Sequence, residues 1–123
     1  YLICDEQTNE CVLIDTPAGS FDLFKGILTE NKLQLNAIWL THSHWDHTWD
    51  LNLFKDEYGV KIIVHKDDIH RLDAPNDYLN FDLGMTFEPM KYDEFVSHQQ
   101  KINIGNYEFE VLHTPGHTEG SVC

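Results

Sequence analysis

Hydrophobic and polar positions change period several times along the chain, and each change marks an element. Two short apolar runs, Leu2-Ile3-Cys4 and Cys11-Val12-Leu13-Ile14, flank the polar stretch Glu6-Gln7-Thr8-Asn9. They predict strands at about 1–5 and 10–15 joined in a hairpin. From Ser20 the period lengthens, with Phe21, Phe24, Ile27 and Leu28 on one face, which predicts a helix over about 20–31. Ala37-Ile38-Trp39-Leu40 predicts a strand at about 36–41. Thr48 then reads as an N-cap, Asp50 falls in a first turn, and Leu51, Phe54 and Tyr58 follow at helical spacing up to Gly59, predicting a helix at about 48–58. Lys61-Ile62-Ile63-Val64 reads as a buried strand, and a short helix follows Lys66, with Asp67 and Asp68 as acids at its positive end. Residues 73–100, carrying Pro75, Gly84 and Pro89, are the least regular stretch and read as a loop region at a substrate entrance. A hairpin closes the chain, Lys101 to Ile104 turning at Gly105-Asn106 into Tyr107 to Leu112. This alternation, without repeats or low-complexity linkers, predicts one α/β unit built on a mixed sheet.

The candidate chemistry sits where the 36–41 strand ends, in Thr41-His42-Ser43-His44-Trp45-Asp46-His47. Imidazole nitrogens and carboxylate oxygens are the donors that hold zinc and related divalent ions. On a still extended backbone His42 and His44 point to the same side, so two imidazoles can converge on one ion. Asp46 and His47 are adjacent and diverge unless the chain turns there, which the following helix start predicts. A hydrophobic strand before this tract and an amphipathic helix after it distinguish it from an expression tag.

A second cluster follows in Glu108 to Ser121. Phe109 and Val111, with His113 in the same register, alternate with Glu108 and Glu110 as a half-buried strand, and Pro115-Gly116 ends it in a turn that presents His117. A third imidazole from there would complete a three-histidine site with one open position, as catalytic zinc requires. His113, on the strand before the turn, is the competing donor. His65, His70 and His98 read as solvated or hydrogen-bonded rather than liganding.

Together, Thr-His-x-His-x-Asp-His after a strand and His113-Thr114-Pro115-Gly116-His117-Thr118 resemble the metallo-β-lactamase superfamily, and within it the glyoxalase II-like hydrolases. Val12-Leu13-Ile14-Asp15-Thr16-Pro17 also resembles that family's early strand ending in an acidic residue. The resemblance implies a partial αββα sandwich. It makes His42, His44 and His117 ligands of a first metal and Asp46 and His47 ligands of a second, with Asp15 and Thr41 orienting the site through hydrogen bonds. It also implies a bridging Asp and a further His beyond His117, which do not occur before Cys123, so the chain is expected to be an incomplete domain cut at both ends. Where the family commonly carries small residues after the first motif, this chain has Thr48-Trp49-Asp50, which leaves the pocket rim open to Trp49.

The function expected from this resemblance is metal-dependent hydrolysis of a small-molecule thioester such as an acylglutathione. One or two ions, zinc first with iron or manganese as alternatives, would make hydroxide available at neutral pH, and Asp46 would orient it. Persulfide dioxygenases, which use a single iron, are resembled nearly as well. A catalytically incomplete metal-binding half-domain is the third reading. Twenty-one acidic against eight basic residues give a net charge of −13, which argues against nucleic-acid binding. No apolar run approaches the roughly 18 residues of a membrane helix. Cys4 and Cys11 could meet across the first hairpin, but reduced thiols in a cytoplasmic protein are the expected state, with Cys123 left over. Nothing in the sequence speaks to oligomeric state.

Overall fold

The computed structural model describes residues 1–79 and 82–123. Strands β1 (Leu2–Cys4), β2 (Glu10–Ile14), β3 (Gln34–Trp39), β4 (Lys61–His65) and β5 (Glu94–Val96) form one sheet in that order. β1 is antiparallel to β2 and the remaining pairs are parallel, so the sheet is mixed, as expected. Helix α1 (Ser20–Asn31) connects β2 to β3, while α2 (Trp45–Thr48) and α3 (Leu51–Tyr58) connect β3 to β4. A 3-10 turn at Lys66–Asp68 leads into α4 (Ile69–Asp73), and β6 (Lys101–Ile104) pairs with β7 (Tyr107–Glu110) as a separate antiparallel hairpin.

Period-two alternation in the strands builds two apolar layers. Leu13, Ile38 and Ile62 are cross-strand neighbours on one face, where they join Leu51, Phe54 and Leu72 from the helices. Val12, Ala37, Ile63 and Val96 point the other way and meet Ile104 and Val111 from the hairpin. Phe54, fully buried, stands edge-on to Phe21 at 5.2 Å, and removing such a ring costs about 3–5 kcal/mol. On the hairpin side a cavity of about 150 Å³ remains between Trp39, Ile63, Phe109 and Val122.

The hairpin is fastened by a buried carboxylate. Asp5 accepts hydrogen bonds from the Asn106 backbone N–H at 2.7 Å, the Asn106 side chain at 2.8 Å and the Gln7 N–H at 2.8 Å. Gly105 turns there with φ 51°, and a Cβ on it would lie 2.3 Å from an Asp5 carboxylate oxygen, so only glycine fits.

Several expectations change. Helical geometry begins at Trp45 rather than Thr48, and it breaks between Thr48 and Leu51. Asp50 precedes α3 instead of lying in its first turn; its carboxylate caps the neighbouring helix, accepting from the Phe21 N–H at 2.9 Å and Ser20 Oγ at 3.3 Å. Trp49, half-buried, packs on Phe87 at 5.0 Å and Trp45 at 5.6 Å against the helix-side core. The irregular stretch supplies β5 and a 3-10 turn at Pro75–Tyr78, and its residues 80 and 81 lie outside the described residues. The last strand stops at Glu110 and does not reach Leu112. Cys4 and Cys11, direct partners across β1 and β2, are joined in a disulfide rather than reduced. No helix among the described residues is long and apolar enough to cross a membrane.

Candidate metal centre

Parallel strands bring their C-terminal ends to one edge of a sheet, where α/β folds place their ligands. Asp15 follows β2, the His42-to-His47 tract follows β3, and Asp68 follows β4. His117 comes to the same edge from the loop beyond β7. The loop is held there by an isolated bridge between His113 and Val122 and by the Val122 N–H bond to the Thr41 carbonyl at 2.9 Å.

His42, His44 and His117 each offer a ring nitrogen, and these nitrogens lie within 4.8 Å of one another. His44 Nδ1 and His117 Nε2 face each other at 3.0 Å. His42 is buried, and its Nδ1 is engaged with Thr41 Oγ1 at 3.0 Å, which leaves Nε2 as the free donor. That Nε2 is buried and has no hydrogen-bond partner among the described residues. An orphaned nitrogen in such a place is costly unless something binds it. Burial, then the neighbouring His47 and His44, push the His42 pKa down to about 4, and burial followed by His117 lowers that of His44. Both rings are therefore neutral near pH 7, the form that ligates metal. Three imidazoles that meet at an unsatisfied buried nitrogen fit a divalent ion.

Asp46 and His47 stand beside this trio but outside it. The turn of α2 directs the exposed Asp46 carboxylate to 3.8 Å from His47 Nε2, while the His47 ring packs 4.1 Å from that of His42. Among the described residues they belong to no group of three donors within mutual reach. Asp15 makes hydrogen bonds to both Thr41 and His47. One carboxylate oxygen accepts from the Thr41 N–H at 2.8 Å, and the other contacts Thr41 Oγ1 and His47 Nδ1, each at 2.8 Å. Asp15 thus fixes the ring orientation of His47 and, through Thr41, that of His42.

A second carboxylate was missed by sequence reasoning. Asp68, fully buried, accepts from the Ser43 N–H at 2.8 Å and the Gly120 N–H at 2.7 Å, and contacts the hydroxyls of Ser43 at 3.0 Å and Thr118 at 2.9 Å. Burial raises its pKa, but the bonds from Gly120, Ser43 and Thr118 outweigh it and hold the carboxyl below its ordinary value. The available signal was the pair of hydroxyl residues beside the ligands, Ser43 between His42 and His44 and Thr118 after His117.

His113 is absent from the trio, as the sequence favoured. It groups instead with His65 and Asp67, yet its ring stacks on His65 at 4.0 Å and 16°, and its Nε2 donates to the Glu119 carbonyl at 2.8 Å. Stacked rings aim their in-plane lone pairs side by side, so they cannot converge on one ion. His65 is buried, and its Nδ1 accepts from the Asp67 N–H at 3.3 Å.

Comparison with known proteins identifies the family of the chain. The chain is 33% identical to an uncharacterized protein of Mycobacterium leprae over 131 residues, spanning all of this chain and 59% of that one. It is 30% identical to a hydroxyacylglutathione hydrolase of Ruegeria pomeroyi, again over its whole length and 41% of the relative. Thus the chain spans only part of the curated relatives it matches. Among solved structures, the metallo-beta-lactamase GOB-18 of Elizabethkingia meningoseptica superposes with a TM-score of 0.81 at 33% identity, covering 99% of this chain and 47% of that one. ETHE1 from Myxococcus xanthus superposes with a TM-score of 0.74 at 26% identity, covering 99% and 45%. The family model of the metallo-beta-lactamase superfamily matches residues 1–123 without interruption, and the chain belongs to that superfamily.

Proposed function

We propose that this protein is a metal-dependent hydrolase of small-molecule thioesters of the acylglutathione class, with zinc as the resident ion. The observation that carries the reading is the buried, partnerless His42 Nε2 facing His44 and His117. His42, His44 and His117 would hold the ion, and Asp46 with His47 would line its open side. When bound, the ion supplies an activated water and polarises the scissile carbonyl. The chain's own contribution is orientation. Asp15 accepts a hydrogen bond from His47 Nδ1 at 2.8 Å, which fixes the ring and leaves Nε2 as its available nitrogen. The exposed Asp46 carboxylate, 3.8 Å from that nitrogen, would be the group able to hold a proton released at the site and return it to the departing sulfur. The thioester class is supported by the similarity to the Ruegeria pomeroyi hydrolase. The Cys4–Cys11 disulfide removes the argument for a cytoplasmic setting that rested on reduced thiols.

Zinc-loaded full-length protein should release free thiol from an acylglutathione, and His44→Ala should lower kcat/KM by at least about 100-fold. Hydrolysis that survives in His44→Ala, or none from a stoichiometrically loaded wild type, would refute the assignment. A single-iron oxygenase acting on persulfides is the second reading. It is favoured by the fact that just three of the expected five donors lie within mutual reach among the described residues. Oxygen uptake with a persulfide by iron-loaded protein would select it.

A further inference from the structure

The two loops that carry the three histidines come from distant parts of the sequence, and His44 and His117 are 73 positions apart. Something must set the gap between them. The loops meet directly through the Val122 N–H bond to the Thr41 carbonyl at 2.9 Å and through His44 against His117, and both also bond to one carboxylate. Asp68 Oδ2 takes the Ser43 N–H at 2.8 Å on the first loop and Thr118 Oγ1 at 2.9 Å on the second. Its Oδ1 takes the Gly120 N–H at 2.7 Å on that second loop, with Arg71 at 3.4 Å behind it. Ser43 lies between two of the histidines, and Thr118 follows the third. A Cβ at Gly120 would come within 2.8 Å of the Asp68 carboxylate, so this approach is as close as packing permits.

We propose that Asp68 is a positioning residue for the metal centre, the clamp that sets the distance between the His42–His44 loop and the His117 loop. The inference rests on the metal-site reading above. The geometry requires a carboxylate in particular. The Ser43 and Gly120 amides and the Arg71 guanidinium can only donate, and they approach both oxygens. An asparagine offers one acceptor and turns an NH2 group toward a donor on the other side. A glutamate adds a methylene where Gly120 leaves no room. Thr118 isolates the clamp from the fold: it is buried, and its hydroxyl joins Asp68 to Ser121 Oγ at 2.8 Å. Valine keeps its shape and removes that link.

Cobalt(II) titration of full-length protein, followed by visible absorption, tests this without reliance on turnover. Wild type is expected to give the intense bands of a four-coordinate site. Asp68→Asn and Thr118→Val should each bind cobalt about 10–100-fold more weakly, with altered bands and an unchanged far-ultraviolet spectrum. Thr118→Ser, which keeps the hydroxyl, should recover wild-type affinity and bands. Should Asp68→Asn fail to fold, the Thr118 pair decides alone. If Thr118→Val binds cobalt with wild-type affinity and spectrum, the clamp is refuted while the metal site stands. If wild type itself binds no cobalt, the metal reading falls and this inference with it.

Discussion

His117 and His113 are separated by a single turn, yet the fold gives them different neighbours. His117 Nε2 faces His44 Nδ1 at 3.0 Å, whereas His113 Nε2 is occupied by the Glu119 carbonyl at 2.8 Å. His117→Ala should therefore abolish stoichiometric zinc binding in isothermal titration, and His113→Ala should leave it within a few-fold of wild type. Equal losses would erase the distinction. His42 carries a further consequence through its protonation. Its folded-state pKa is about 4 against 6.5 for an unperturbed histidine, so the unfolded chain takes up this proton first as pH falls. Metal-free protein should lose stability as pH falls from 6.5 toward 4, and the His42 contribution should be fully present above pH 6.5. Urea midpoints across that range should show a clearly shallower pH slope in His42→Gln. An unchanged slope would assign the effect to other groups.

Elements meet at this edge through buried acids as much as through apolar faces. Asp50 lies between α2 and α3 but completes the first turn of α1 through the Phe21 N–H. Asp50→Ala should cost about 1–2 kcal/mol in urea unfolding, and Asp50→Asn, which retains an acceptor, should cost less. If the two are equal, the bond to Phe21 contributes nothing. Such contacts mark the limit of what the sequence discloses. Strands β1 to β4, β6 and β7 and helix α1 were legible because their apolar period is dictated by one neighbouring layer, and the candidate histidines because imidazoles at that spacing have few other uses. Asp50 and Asp68 read as ordinary helix-start acids, since their partners lie 29 and 52 positions away, and Asp5, whose partner lies 101 positions away, carries no signal within its predicted strand. β5 was illegible for a related reason: Glu94 and Phe95 are exposed, leaving Val96 alone to carry an inward signal at the sheet edge. The disulfide was half legible, as register placed Cys4 opposite Cys11 while composition alone pointed to reduced thiols.

Over the whole molecule, the excess of negative charge outweighs any single contact. The cations are largely committed: Lys25, Lys55, Lys61, Lys66, Arg71, Lys91 and Lys101 each sit in an ion pair. Many acids remain uncompensated, as the net charge of −13 requires. Two opposing effects of salt follow. Screening weakens the surface pairs, each worth about 0–1 kcal/mol, and it also relieves repulsion among the excess carboxylates. The pairs are local, with contacts such as Lys25 to Glu57 at 2.7 Å, whereas the repulsion acts between charges spread over the surface. Between about 0.01 M and 0.15 M salt the Debye length falls from about 30 Å to about 8 Å, which removes long-range repulsion while leaving contact pairs largely intact. The urea midpoint should therefore rise over that interval. The measurement needs a chelator throughout, because any divalent ion captured by the histidine trio would stabilise the folded state by mass action and mimic the effect. A midpoint that falls instead would mean that the contact pairs, not the acidic excess, govern the stability of this fold.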